Sequence, residues 1–367
     1  MNQQTLNNFY DCFKGILKQV QDEVKKLDKR EKEILTIKNN TTQILQLLQG
    51  KQTKTTTIER KIQSLTKTKE IQHKSRVFAI IELNDLRMVT GDRGGYITLF
   101  AVDGKKEQWT KVKEEKGHIS SINYLCELSR NRIVSSSEDL TLKVWNFSND
   151  TITHIKTFEG HNDYVNQVVP ITKDIIASGS LDKTIRVWNV NTYKDEIPPL
   201  KENFWVRSLL KLKNKDEMVS GGDGDSVSFW NTITFKKEHS VECCDCDSYN
   251  GLIELPNHCI AVNSGLSSTI DVIDTEKYER IKQITCEGYI GGIDCSYSSL
   301  HLLRNGTFIY SHEEYFCQIS STTYEVIFKF KMEKEFRGDI ITSSSNGKYI
   351  IADKCSGGLT IFKVDYS

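Results

Sequence analysis

Two stretches of this 367-residue chain determine how it folds. Residues 117–146 read GHISSINYLCELSRNRIVSSSEDLTLKVWN, and residues 160–189 read GHNDYVNQVVPITKDIIASGSLDKTIRVWN. In both stretches a Ser, an Asp and a Trp follow the His after 17, 21 and 27 residues. The residues at these positions are His118, Ser135, Asp139 and Trp145 in the first stretch and His161, Ser178, Asp182 and Trp188 in the second. Agreement at three spacings indicates an internal repeat.

Weaker copies extend the repeat over most of the chain. Residues 218–230, MVSGGDGDSVSFW, keep the last two positions as Ser220 and Trp230. In the remaining units an apolar residue takes the place of the Trp, and these residues are Phe100, Ile273, Ile319 and Phe362. Successive units end 42–46 residues apart, which predicts seven units over residues 73–367. Each unit contains short runs rich in Val and Ile between Gly, Asn, Asp and Ser, a pattern typical of strands and turns.

The repeated residues resemble the WD repeat family. The resemblance rests on the Gly-His start, the Ser-x-Ser-x-Asp turn and the terminal Trp. A full motif has Asp after this Trp, whereas the present sequence has Asn. It implies an all-β, seven-bladed β-propeller built from four-stranded blades. Leu359–Val364 would then be the third strand of the last blade, so we expect Ser64–Gln72 to supply its outer strand and close the ring.

The resemblance also implies a structural role for the repeated polar residues. In WD blades the His, Ser, Asp and Trp form a hydrogen-bonded relay that leaves no buried polar group unpaired. Ser178, His161 and Asp182 are therefore interpreted as a relay and not as a hydrolase triad. In the fourth unit Glu202 occupies the His position, so we expect that relay to be broken.

Residues 1–50 predict a long α-helical coiled coil. Apolar residues recur at heptad spacing, beginning with Leu6, Phe13, Val20, Leu27 and Ile34. Such a stripe over six heptads indicates homo- or hetero-oligomerisation. The alternative is one amphipathic helix lying along its own domain. Residues 51–72 are basic and are interpreted as a linker that also contains the closing strand, with a patch for nucleic acid or anionic lipid as the alternative.

Charge and composition narrow the cellular setting. The chain has 49 Lys+Arg and 49 Asp+Glu, but residues 73–367 alone hold 35 and 41, so the propeller is acidic and nucleic acid is not favoured as its partner. No run approaches the roughly 20 apolar residues of a membrane helix. The first residues lack the layout of a signal peptide. We expect a protein of the cytoplasm, with the nucleus as the alternative.

The sequence offers little catalytic or metal chemistry. It has no phosphate-binding loop, no dinucleotide fingerprint and no nucleophile elbow, so neither an enzyme nor a cofactor is expected. Asp223-Gly224-Asp225 lacks the bidentate acid of a calcium loop and is interpreted as a blade turn. Cys243, Cys244 and Cys246 form a metal-like cluster, but their spacing is not that of a zinc site.

The resemblance implies a protein-interaction scaffold or adaptor. The alternatives are a substrate-recognition component associated with a ubiquitin ligase and a β-subunit-like signalling propeller paired with a partner helix. In WD propellers, partners often meet the first and third residues after the inter-blade His. The predicted binding residues are those at these positions, together with Arg93 from the turn of the first unit: Lys74, Arg76, Arg93, Tyr164, Asn203, Trp205 and Arg337. These residues predict a basic arc and an aromatic pair that bind a peptide with an acidic stretch and an apolar anchor, unless Tyr164 and Trp205 pack between blades.

Overall fold

The structure is a computed structural model that describes residues 59–83, 87–103, 108–129, 131–148, 150–243, 251–263, 269–285, 298–312, 315–331, 341–344, 347–353 and 357–366. The predicted coiled coil of residues 1–50 lies outside the described residues, as does Arg337. Within the described ranges, no helix is long and apolar enough to cross a lipid bilayer.

The described residues form β-strands joined by turns and loops. In chain order they are β1 (Ile62–Gln72), β2 (Val77–Glu82), β3 (Met88–Asp92), β4 (Tyr96–Asp103), β5 (Gln108–Lys116), β6 (Ile122–Ser129), β7 (Arg132–Ser137), β8 (Leu142–Ser148), β9 (Thr151–Phe158), β10 (Val165–Pro170), β11 (Ile175–Ser180), β12 (Thr184–Asn189), β13 (Lys194–Asp195), β14 (Leu200–Lys201), β15 (Val206–Lys211), β16 (Glu217–Gly222), β17 (Ser226–Asn231), β18 (Lys237–Glu242), β19 (Leu252–Glu254), β20 (Cys259–Asn263), β21 (Thr269–Asp274), β22 (Glu279–Thr285), β23 (Ser298–Leu302), β24 (Phe308–His312), β25 (Tyr315–Ile319), β26 (Val326–Lys331), β27 (Ile341–Ser343), β28 (Tyr349–Asp353) and β29 (Gly358–Tyr366).

These strands form seven antiparallel sheets, which are the blades of a propeller. Blades 1 to 6 are β2–β5, β6–β9, β10–β14, β15–β18, β19–β22 and β23–β26. In blade 3 the outer strand is split, and β13 and β14 both pair with β12. Blade 7 combines β27, β28 and β29 with β1. The predicted seven-bladed, all-β fold is confirmed.

The seven repeat ends predicted from the sequence occupy one structural position. Each lies on the third strand of its blade and pairs with a residue of the second strand, as Trp188 does with Ile176 and Phe362 with Ile350. All seven are buried, with exposed fractions between 0% and 6%. The apolar replacements for Trp therefore keep the packing role of the motif after its hydrogen-bonding role has been lost.

The ring is closed by β1, which pairs with β29 from Ile62 opposite Tyr366 to Gln72 opposite Gly358. This is the arrangement expected for Ser64–Gln72, and the strand begins two residues earlier, at Ile62. Ile62 is fully buried, and its N–H donates to Oε1 of Gln318 in blade 6 at 2.8 Å. The propeller therefore includes residues 62–72.

The hydrophobic core is divided among the interfaces between neighbouring blades. Seven clusters of buried residues occupy the seven interfaces of the described ring. Inner strands are also joined by polar side chains: the Asn166 side chain donates to Val206 O at 3.0 Å, and Oε1 of Gln167 accepts the Leu209 N–H at 2.8 Å. Each blade thus completes the core of the next.

A second repeat, which the sequence analysis did not recognise, lies where the third strand turns into the outer strand. Tyr193, Phe235, Tyr278 and Tyr324 occupy this turn in blades 3 to 6 with φ between 53° and 59°. In blade 4 the Asn231 side-chain oxygen accepts the N–H groups of Ile233 and Thr234, both at 2.9 Å. This turn explains why Asn can follow Trp here, since its amide oxygen caps the turn.

The aromatic residues of these turns pack against the preceding blade. The Tyr278 ring lies 5.1 Å from that of Phe229 in blade 4, and its hydroxyl donates to Glu217. The Tyr324 hydroxyl contacts the Cys259 thiol of blade 5 at 3.7 Å. These contacts join blades 5 and 6 to their neighbours, where the His-Ser-Asp-Trp residues are absent from the sequence.

His301, on the inner strand of blade 6, provides another interblade contact. Its Nε2 accepts the backbone N–H of Ser343 in blade 7 at 3.1 Å. Burial lowers the pKa of His301 to about 4. The imidazole is therefore neutral at physiological pH, and its proton lies on Nδ1. Together with Tyr124 and Gln167, it lines a central cavity of about 230 Å³.

We predict a pH dependence from this histidine. Below pH 6.5 the His301 imidazole takes up a proton in the unfolded chain, whereas in the folded chain it stays neutral until about pH 4. The free energy of unfolding is therefore highest above pH 6.5 and decreases as the pH falls towards 4. Urea unfolding at pH 7 and pH 4.5 should show that His301→Gln removes about 2–3 kcal/mol of the wild-type pH dependence. His258→Asn, at an exposed position, is the control. An unchanged pH dependence in His301→Gln would contradict the assignment.

Candidate functional site: the upper face of blades 1 to 4

The residues singled out by the sequence lie at one end of the ring, called here the upper face. At this end the first strand of each blade begins and the second strand turns into the third, as shown by Val165 opposite Ser180 in blade 3. The opposite end, where third strands turn into outer strands, is called the lower face. His161 precedes β10 and Asp182 lies in the turn after β11, so both belong to the upper face.

The predicted relays of blades 2 and 3 are formed. In blade 2, His118 Nε2 lies 2.6 Å from Ser135 Oγ, and His118 Nδ1 lies 2.8 Å from Asp139 Oδ2. The Trp145 indole N–H donates to Ser135 Oγ at 2.8 Å. In blade 3 the corresponding distances among His161, Ser178, Asp182 and Trp188 are 2.7, 2.8 and 2.8 Å. The Asp carboxylate can only accept, so the imidazole donates to it from Nδ1; Nε2 of a neutral imidazole is then an acceptor, and the Ser hydroxyl donates to it.

In the blade 2 relay, the electrostatics favour a neutral imidazole beside an ionised carboxylate. Burial lowers the pKa of His118, although the hydrogen bond to Asp139 opposes this shift. Burial alone would raise the pKa of Asp139, but hydrogen bonds from His118 and Thr141 outweigh it and hold that pKa well below its usual range. Ser178 is fully buried, so a substrate could not reach its hydroxyl. The three residues that resemble a triad therefore serve the fold.

Blade 4 corrects one expectation, because its relay is changed rather than broken. The Trp230 N–H donates to Ser220 Oγ at 2.9 Å, and Ser220 donates to Glu202 Oε1 at 2.8 Å. The other carboxylate oxygen pairs with Lys237 Nζ at 2.5 Å. The Glu202 side chain is fully buried, so this ammonium compensates its charge. A Glu–Lys pair thus replaces the His–Asp pair of blades 2 and 3.

Carboxylates of the relays and turns also hold the backbone that carries the upper-face residues. Asp139 Oδ2 accepts the N–H of Ile119 at 3.2 Å, and Asp182 Oδ2 accepts that of Asn162 at 3.0 Å. In blade 4, Asp223 Oδ1 accepts the N–H of Trp205 at 2.6 Å. The relays and turns therefore fix the start of each first strand, and with it the position of the exposed side chains.

The predicted basic arc is only partly formed. Lys74 is 60% exposed at its side chain, although it pairs with Glu114, and Arg93 is exposed. Arg76 differs from expectation: its side chain is only 14% exposed, and its Nε lies 3.6 Å from Asp353 of blade 7. Closure brings these two blades together, so Arg76 joins them and is not presented to a partner.

The predicted aromatic residues are open to solvent. Tyr164 is 42% exposed and Trp205 is 41% exposed, which argues against the alternative that they pack between blades. Arg207 lies 5.7 Å from the Trp205 ring. Asn203 is exposed, and its carbonyl accepts a hydrogen bond from Lys183 Nζ at 3.1 Å. These residues belong to neighbouring blades of the same face.

Two exposed apolar residues of this face are not among the predicted binding residues, although the position rule places Ile119 on the face. Ile119 is 86% exposed at the first position after His118, and Leu140 is 36% exposed in the turn beside Asp139. The signal was present, because Ile119 stands where blades 3 and 4 have Asn162 and Asn203. Ile119, Tyr164 and Trp205 are called here the apolar row.

The cysteine cluster offers no site in the described part of the chain. Cys243 is buried between blades 4 and 5, and Cys244 and Cys246 lie outside the described residues. Among the residues that the structure describes, no group of three or more His, Cys, Asp or Glu side chains could hold a metal ion.

We predict that the changed relay of blade 4 stabilises the fold as the His relays do. Glu202→Ala would leave Ser220 and Lys237 without their acceptor, so the free energy of unfolding should fall by about 1–3 kcal/mol. His161→Ala should have a similar effect in blade 3. Asn203→Ala, at the exposed neighbouring position, is the control for urea unfolding. A loss below about 0.5 kcal/mol for Glu202→Ala would show that the Glu–Lys pair does not stabilise blade 4 as the His–Asp pairs stabilise blades 2 and 3.

Comparison with known families agrees with this geometry. The family model described as "WD domain, G-beta repeat" (WD40) matches residues 109–146 and 152–189. No curated protein matched the chain. The two matched segments contain the Ser, Asp and Trp of the two relays that use His. The chain therefore contains WD40 repeats, which fold together with more divergent units into a seven-bladed β-propeller.

Proposed function

We propose that this protein is a non-enzymatic scaffold that holds partner peptides on the upper face of blades 1 to 4. WD40 propellers generally serve as interaction scaffolds and commonly bind other proteins. The observation that carries the proposal is the apolar row, in which three consecutive blades each expose a large apolar side chain at 86%, 42% and 41%. Exposed apolar patches on soluble domains commonly mark interaction sites.

Rigidity makes this face suitable for binding. The N–H groups of Ile119 and Trp205 are held by the Asp139 and Asp223 carboxylates. A side chain on a fixed backbone loses less conformational freedom when a partner arrives, so more of the contact energy is retained as affinity. Tyr and Trp are also residue types enriched among binding hot spots.

The ligand that fits best is a peptide with apolar anchors and an acidic stretch. The apolar row would receive the anchors, and the exposed cations Lys74 and Arg93 of blade 1 would attract the acidic stretch. Opposite charges at the rim of an interface raise the association rate and favour the correct partner.

Oligomerisation through residues 1–50 would multiply this site. Their heptads support a coiled coil that presents several propellers at once. Linked sites bind a multivalent partner with an avidity greater than the affinity of one site. We propose that the assembly works as an adaptor in the cytoplasm, with the nucleus as the alternative.

Affinity capture of full-length protein with quantitative mass spectrometry tests this function. Trp205→Ala and Ile119→Ser should each weaken binding by about 2 kcal/mol, or about thirtyfold, because each removes an anchor contact. Ile233→Ser is the matched control, since Ile233 is 71% exposed but lies in a lower-face turn of blade 4. Melting temperatures should remain close to wild type. Loss of partners in Ile233→Ser, with capture intact in Trp205→Ala, would place the site elsewhere.

A further inference from the structure

We infer that the upper face of blades 1 to 4 binds an extended peptide in one direction, with an acidic segment of the peptide over blade 1 and a basic segment over blade 4. This surface is called here the track. This inference rests on the proposed function and adds the charge order of the ligand. It follows from the opposite charges that the ring places at the two ends of the apolar row.

The blade 1 end is basic. Arg93 is exposed in the turn between β3 and β4, and Lys116 is exposed at the end of β5. Lys74 is 60% exposed at its side chain and forms an ion pair with Glu114, whose own side chain is 13% exposed. These three exposed cations outnumber the two carboxylates beside them, Glu114 and the buried Asp92, so a positive balance remains at this end.

The blade 4 end has a negative net charge, because among its described residues three exposed carboxylates outnumber the one cation near the apolar row, Arg207, which lies 5.7 Å from the Trp205 ring. Asp223 and Asp225 are exposed in the turn between β16 and β17, and Glu242 is exposed at the end of β18. Glu242 lies opposite Ser226 in the sheet, which places it at the same end of the blade as the two aspartates. One carboxylate oxygen of Asp223 accepts the Trp205 N–H. The backbone carbonyl of Asp225 accepts the Cys243 N–H, and this bond does not involve the Asp225 carboxylate.

The charges between these ends are of both signs: the exposed Glu159 and Lys201 offset each other, and several others have protein partners. Glu138 accepts a hydrogen bond from Ser120 at 3.1 Å, and Asp163 accepts the Tyr164 N–H at 2.8 Å. Lys183 donates to the Asn203 carbonyl. The middle of the track therefore offers mainly the apolar row, and the net charge changes sign from one end to the other.

Such a charge order selects the direction of a bound peptide. An acidic segment over blade 1 and a basic segment over blade 4 gain attraction at both ends, whereas the reversed peptide meets like charges at both. The charges are exposed, so screening moderates the preference and high salt should reduce it. The apolar row contacts either direction through the same side chains and would not discriminate by itself.

Selection from a displayed library of random linear peptides on the full-length protein provides the test. Selected peptides should carry acidic residues at one end, apolar residues in the middle and basic residues at the other. A synthetic peptide of this kind should bind about tenfold more tightly than a peptide of equal composition with the order reversed. This difference in affinity between the two peptides should become smaller as the salt concentration rises.

Charge-reversal variants provide the decisive comparison. Selection on Arg93→Glu should replace the acidic preference with a basic one at that end only, and Asp225→Lys should do the opposite at the other end. Lys173→Glu makes the same kind of change at an 89% exposed side chain in the turn between β10 and β11, and should leave selection unchanged. A folding defect would weaken binding without exchanging these preferences.

The outcomes separate this inference from the proposed function. Peptides that depend on Trp205 but show no charge order would overturn the direction and leave the scaffold function standing. If no enriched peptide depends on Trp205 or Ile119, both proposals are overturned. If Arg93→Glu and Lys173→Glu alter selection equally, the effect comes from net charge, and the track is refuted.

Discussion

The pairing of β1 with β29 is the contact on which the rest of the structure depends. Blades 1 to 6 are each formed by strands consecutive in the chain, whereas blade 7 needs a strand from before blade 1. Pairing Ile62 with Tyr366 covers an edge that would otherwise remain open, and it places blade 7 beside blade 1. The contact between Arg76 and Asp353 exists only because of this closure.

Within the closed ring, buried polar groups connect stability to the proposed function. The Asp139 carboxylate accepts from His118 inside the blade and from the Ile119 N–H at the surface. The same group therefore satisfies a buried imidazole and holds an exposed apolar side chain in place. Blade 4 divides these tasks, because Glu202 completes the relay and Asp223 holds Trp205. Divergent residues thus preserve both tasks by different chemistry.

The periodic parts of the fold could be predicted from the sequence. The repeat ends were recognisable because a buried position on the third strand demands a large apolar residue whether or not Trp is kept, as at Phe100 and Ile273. The aromatic turns were also visible in the sequence, since Tyr278 and Tyr324 each follow a capping Asp or Ser by four residues.

Contacts without a period could not be predicted in this way. Lys237 lies 35 residues from Glu202, and no repeat position suggests that the two should pair. Similarly, Arg76 occupies a position that would face a partner, and only its contact with Asp353 in the neighbouring blade 7 reveals that it is largely covered. The exposure of Ile119 depends on which of the described residues pack beside it, and the spacing of the repeat does not determine that.

Site-specific photo-crosslinking tests the central claim most directly. A photoreactive residue placed at position 119 of the full-length protein samples the upper face, and one placed at position 233 samples the lower face from a comparably exposed isoleucine. Covalent partner adducts at position 119, lost in a Trp205→Ala background, and none at position 233 are the predicted result. Adducts at position 233 with none at position 119 would contradict the assignment of the binding surface.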